Sequence, residues 1–157
     1  MRGSRSAALV VMFVGILGVG GCLPEVDASD LEQRARDDAA RHASNLLFEM
    51  TEEYALISQA RDAPLLRMLD DAMEANEHRH WAEKRSGTPT TSVWDVSFTA
   101  VASGGGMLPP RARVRLCAEL SFDLGRETVV ELDNSTCPSG APRPSGAVDV
   151  ELPIDEP

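Results

Sequence analysis

Asp70, Glu74 and His78 stand four residues apart, a spacing that stacks side chains on one face of a helix, with Glu77 and His80 beside them. Carboxylates and imidazoles together can ligate a divalent metal. The arrangement is poor for that purpose: on a helix His78 and His80 lie about 200° apart, no HExxH pattern occurs, and no third histidine clusters with them. A solvated acidic face accounts for the same residues, so neither metal nor cofactor is assigned. Arg111, Arg113 and Arg115 alternate along a strand-like segment and so share one face. They form a candidate anion-binding row, because guanidinium groups grip carboxylate or phosphate in bidentate pairs. Asp95 and Glu131, on the same face of neighbouring strands, offer cross-strand ion pairs that would neutralise the row instead.

Nucleophilic catalysis has no visible apparatus. There is no GxSxG elbow and no free cysteine set with a histidine. The glycines at 104–106 run into Met107 and Leu108 rather than Gly-Lys-Ser/Thr, so they make a loop and not a phosphate cradle. Trp81 and Trp94 are expected in the core or at its edge rather than as a ligand platform. No catalytic residue is assigned, and the chain is expected not to be an enzyme.

Cys22 has a more definite chemistry. Arg2 and Arg5 precede an uncharged run over 7–21 that ends at this cysteine, the layout of a secretory signal. The run is shorter than the roughly 20 residues a spanning helix needs, and Gly15, Gly18, Gly20 and Gly21 weaken it further. Val19-Gly20-Gly21-Cys22 resembles the lipobox of bacterial lipoproteins, an aliphatic residue and two small ones before a cysteine. The resemblance implies a signal peptide over 1–21, a diacylglyceryl group on the Cys22 thiol and a mature chain beginning at Cys22. The competing readings are an ordinary cleaved signal and a retained anchor. Each buried methylene contributes about 0.8 kcal/mol and one acyl chain binds only marginally, so the two chains on one residue are what make the anchoring stable. The expected location is the extracytoplasmic face of the cell membrane. In a bacterial protein the sequon match Asn134-Ser135-Thr136 carries little weight.

An export signal also places Cys117 and Cys137 where disulfides form and persist. A redox pair or a metal site would use closer spacing, so one structural bridge between these two is expected, contributing about 3 kcal/mol by the chain-entropy account.

These groups need elements to position them. Over 29 to about 60, Leu31, Ala35, Ala39, Ala43, Leu46, Met50, Tyr54 and Ile57 recur every three or four residues behind a Ser29/Glu32 capping box, which predicts an amphipathic helix. Asp62-Ala63-Pro64 stops and restarts it. A second helix is expected from Leu65, with Leu66, Leu69, Ala72 and Met73 on its apolar stripe, as far as Ser86-Gly87-Thr88-Pro89, with Arg79, Lys84 and Arg85 in its last turns. The pair reads as a helical hairpin or as one long bent helix.

After Thr90 the period becomes two. Trp94, Val96, Phe98 and Ala100 define one strand, Val114, Leu116, Ala118, Leu120 and Phe122 a second, and 127–133 a third after an Asp123-Leu124-Gly125-Arg126 turn. The fold class is therefore α+β, with the helical part packed on a small three- to four-stranded antiparallel sheet. Cys117 falls on the outer sheet face beside Arg115 and Glu119. The expected organisation is the signal over 1–21, a lipidated tether over 22–28, one domain over 29–137 and a proline-rich, extended or disordered tail over 138–157, in which Val148, Val150 and Leu152 alternate and can add an edge strand.

Composition bounds the partners. The chain has 157 residues, 43% hydrophobic and 25% charged, which suits one small domain. With 15 basic against 25 acidic residues, a net charge of −10 and 4% aromatics, a nucleic-acid partner is excluded by charge. Losing Arg2 and Arg5 with the signal makes the mature chain more acidic still, so an anionic bilayer surface repels it and only lipid holds it there. The mature chain also resembles small exported lipoproteins of actinobacterial type, in its helical first half, glycine-interrupted meander and late cysteine followed by proline. That resemblance implies a non-enzymatic envelope component. Two roles are expected: a binding or assembly module for another envelope protein, acting through the helical face or an exposed sheet edge, or a carrier of a small ligand in a pocket between helices and sheet.

Overall fold

The computed structural model describes residues 27–60, 64–76, 79–105 and 109–153. The signal segment over 1–21, Cys22 and the tether before Asp27 lie outside these residues, as do Glu77 and His78.

α1 (Ala28–Ile57) buries Leu31, Ala35, Ala39, Ala43, Leu46, Met50 and Ile57 in one stripe, with Tyr54 half-buried. Its cap is Asp27, not Ser29: the Asp27 carboxylate accepts from the Ser29 backbone N–H at 3.2 Å. A carboxylate two residues upstream thus satisfies a free N–H of the first turn and complements the helix dipole. α2 (Leu65–Asn76) begins just after Pro64, whose carbonyl accepts from the Met68 N–H at 3.1 Å, and buries Leu69 and Met73. The two helices are separate elements on the same side of the sheet, which is α+β in class.

The second helix ends at Asn76, ten residues short of the expected stop. Instead of helical turns, Trp81–Gly87 forms strand β1, paired antiparallel with β2 (Thr91–Ser103) from Trp81↔Ser97 to Gly87↔Ser92. Alanine, glutamate, lysine and arginine in this stretch favour helix locally, but pairing with an exposed strand edge outweighs propensities of a few tenths of a kcal/mol per residue. Thr88 closes the β1–β2 turn, its hydroxyl accepting from the N–H groups of Thr90 and Thr91.

β2 pairs over its full length with β3 (Arg111–Asp123), from Thr91↔Asp123 to Ser103↔Arg111. Gly104 permits the chain to leave this hairpin, since a Cβ there would meet the Pro110 ring at 3.0 Å. β4 (Val130–Asn134) adds to the second half of β3, after a turn in which the Gly125 N–H donates to the Asp123 carboxylate. The order β1-β2-β3-β4 is an antiparallel meander. Trp94, Val96, Phe98 and Ala100 of β2 and Val114, Leu116, Ala118, Leu120 and Phe122 of β3 form the inner face under the helices, as their alternation predicts. Small alanines at 35, 39 and 43 let α1 lie close against that face.

In the proline-rich segment, expected to be extended or disordered over 138–157, the edge strand suggested by the alternation of Val148, Val150 and Leu152 forms at Val148–Val150, and the described residues before it have no regular structure. This strand, β5 (Val148–Val150), joins the first half of β3 in parallel, Val114↔Val148 to Leu116↔Val150. β4 and β5 thus share one edge of β3. The Asn134 side chain links them, donating to the Leu152 carbonyl at 3.2 Å and accepting from the Leu152 N–H at 2.6 Å. Gly146, at φ 74°, makes the turn into β5 in a backbone region that other residues rarely adopt.

Candidate binding surface

On the outer face, Cys117 of β3 and Cys137 lie at disulfide distance, with Cα atoms 5.1 Å apart. From there the chain crosses behind the sheet. Gly140 comes close to the side chains of Trp81 and Glu83 on β1, the Ala141 carbonyl accepts from Arg115, and the chain then returns to β5. This strap buries Cys117, Ser97 and Ala141. It leaves only the loop end of the hairpin uncovered on this face, where Thr99, Val101 and Ser103 of β2 and Arg111 of β3 are exposed.

The arginine row divides at that boundary. Arg115 is only 6% exposed and forms a bidentate pair with Asp149 of β5, at 2.8 and 3.0 Å. Direct bonding from Arg115 holds the Asp149 carboxyl below its ordinary pKa against the opposing effect of burial. Arg143 adds a longer contact to the same carboxylate, 3.7 Å. Arg113 donates to the Ser145 carbonyl, and Arg111 is exposed. The cross-strand pairs expected with Asp95 and Glu131 do not form: Asp95 pairs with Arg85, which also bonds Glu119, and Glu131 pairs with Arg126. The anion that occupies part of the row is the chain's own Asp149.

The acidic face expected on the second helix is also rearranged. Asp70 turns toward the sheet and accepts from Lys84 Nζ at 2.6 Å, Ser92 Oγ at 2.7 Å and Trp94 Nε1 at 2.9 Å. Burial pushes the carboxyl up, but these donors outweigh it and hold it below its ordinary pKa. Trp94 is buried as expected, and Trp81 is half-buried. Glu74 is exposed on α2, while His80 lies beyond the helix end with its ring 5.5 Å from that of Phe98. Among the described residues no group of three or more His, Cys, Asp or Glu side chains is placed to hold a metal ion. A cleft of about 660 Å³ lies between α2 and the β1–β2 and β3–β4 turns, lined by Pro64, Leu65, Leu66, Pro89 and Leu124 together with Arg67, Asp70 and Lys84.

The two sides of the sheet near β1 are guarded unequally. β1 is an edge strand with Glu83, Lys84 and Arg85 along it and an irregularity between Lys84 and Ser86, devices that discourage pairing with another chain. It stops opposite Ser97, so among the described residues 98–103 of β2 pair with β3 alone. This stretch carries no charge, no proline and no bulge, and Val101 on its outer side is 51% exposed. The sequence pattern marks the strand but not its free edge, because the edge is defined by where β1 ends. Comparison with protein families, with curated proteins and with solved structures finds no match. No helix among the described residues is long and apolar enough to cross a membrane.

Proposed function

We propose that the chain is an extracytoplasmic lipoprotein, held to the cell membrane by lipid on Cys22, that acts as a non-enzymatic binding or assembly module for another envelope protein. The observation that carries the binding half of this reading is the edge of β2 at 98–103, which among the described residues pairs with β3 alone, since such an edge offers a partner strand a row of backbone groups. The paired Cys117 and Cys137 are consistent with an oxidising compartment. The anchor supports presentation of this edge. Leu31, in the first turn of α1, lies beside Gly104 at the loop end of the β2–β3 hairpin, and only a few residues separate Cys22 from that turn. Lipid on Cys22 therefore keeps the edge near the bilayer, while the acidic surface keeps the domain from lying flat on anionic lipid.

The test is crosslinking of the full-length protein in intact cells, followed by isolation through a C-terminal tag and mass spectrometry of what is captured. One abundant partner, lost in Cys22→Ala, is the expected result. A Cys22→Ala variant that is processed and partitions with membranes like wild type overturns the lipid anchor, and no partner above background overturns the assembly role.

The cleft against α2 supports a second reading, carriage of a small ligand with an apolar body. A carrier copurifies with its ligand and gains thermal stability from it. Extraction of the purified protein that yields no small molecule removes this reading.

A further inference from the structure

We infer that the free edge of β2 takes an acidic, extended segment of the partner protein, one in which carboxylates alternate with apolar residues. This deepens the assembly reading above and rests on it. The recognition chemistry is already displayed within the chain, where Val148-Asp149-Val150 lies along β3 as a short strand and delivers its single carboxylate to Arg115. On the other side of the same hairpin the corresponding elements stand open. Val101 and Ser103, both exposed, face Arg113 and Arg111 across the register; Arg111 is exposed, and Arg113, half-buried, gives one bond to the Ser145 carbonyl of the strap.

A strand added at 98–103 lies two strand spacings from β3, about 9.5 Å. An arginine and a glutamate stretched over Val101 close that distance. Alternate residues of the added strand share one face, so its carboxylates run beside Arg113 and Arg111 while its backbone takes up the edge groups of β2. The local charge is suited to this. Arg115 and Arg143 share Asp149, and among the described residues Arg111 and Arg113 form no ion pair, in a chain whose net charge is −10. Asp27 and Asp30 stand at the same end of the molecule but on the helical side of the sheet. A second copy is a poor occupant, because residues 98–103 paired with themselves bring no carboxylate to the arginines.

The probe is a synthetic peptide with the sequence of residues 146–152, Gly-Ala-Val-Asp-Val-Glu-Leu, titrated into the isotope-labelled full-length protein in detergent micelles and followed by amide NMR shifts. Shifts centred on 98–103 are expected. Affinity is expected to fall at least tenfold with the Asp149→Asn/Glu151→Gln peptide, with the Arg111→Glu/Arg113→Glu protein and at high salt. Spectral dispersion of the protein variant shows that it is folded, and the peptide and salt arms do not depend on it. Shifts centred on 114–116 mean exchange with β5 and overturn the inference. Binding indifferent to the carboxylates overturns it as well, as do concentration-dependent shifts at 98–103 without peptide, which assign the edge to a second copy. Because the titration reads this edge alone, its failure leaves standing a partner captured in cells through the helical face.

Discussion

The Asp70 carboxylate, on a helix of mixed charge, turns inward to gather three donors from two strands, Lys84, Ser92 and Trp94. Burial opposes its ionisation and the donors more than offset that, so the folded-state pKa lies below the ordinary 3.8. A carboxyl depressed by folding adds stability that is complete above the unfolded pKa and is lost as pH falls through the folded one. Asp70→Asn is therefore expected to cost about 1–2 kcal/mol at neutral pH. In urea titrations the gap between wild type and variant stays constant down to about pH 5 and closes below about pH 4. A gap unchanged down to the most acidic point would show that ionisation of Asp70 contributes nothing to stability. The residue types flagged a polar cluster here, but its partners come from β1 and β2. Only the fold shows that the cluster holds α2 to the sheet instead of opening to a metal.

At the scale of elements, α1 packs through an unbroken run of small residues, with Ala35, Ala39 and Ala43 all buried against the sheet. Enlarging the middle one forces the helix off β2 and β3. Ala39→Leu is expected to lose about 1–3 kcal/mol, measured as a drop in the urea midpoint, while Phe48→Ala on the exposed side stays within about 0.5 kcal/mol. Equal effects at the two positions would remove the alanine stripe as the reason for the close packing. This stripe was legible in the sequence, as were β2 and β3, because each is long and strongly periodic. β1 was not: Ala82, Glu83, Lys84 and Arg85 are good helix formers, and what makes them a strand is the edge of β2, distant in neither sequence nor space but invisible to a local pattern. Missing β1 also hid the proposed binding edge, since the stretch at 98–103, which among the described residues pairs with β3 alone, exists only as the difference in length between two strands. Asn134 shows the same limit. Its sequon match carried little weight, and nothing local in the sequence pointed to what its amide does, which is to join Leu152 to the end of β4.

The whole molecule is a helix-covered sheet whose opposite face is partly closed by its own C-terminal segment. The pair Cys117 and Cys137 sits where that segment leaves β4, and the segment then passes Trp81, caps Arg115 and ends as β5. The bridge closes a loop with a sequence separation of 20, and removing such a crosslink costs about 3 kcal/mol through the unfolded chain. The effect on the folded chain depends on where the strap's contacts lie. They are local to the outer face, whereas the helices and β1–β4 hold each other through the inner core. Cys117→Ser/Cys137→Ser is therefore expected to lower the urea midpoint and, under native conditions, to expose 138–150 to hydrogen exchange while β2 and β3 stay protected. Freeing the strap also uncovers Arg115, extending the basic face that flanks the open edge. Uniform loss of protection through β2 and β3 would instead make the strap an inseparable part of one cooperative unit. Thiol counting on the native protein checks the premise directly: Cys117 and Cys137 react with an alkylating agent only after reduction, and a Cys22 that carries lipid stays unreactive throughout.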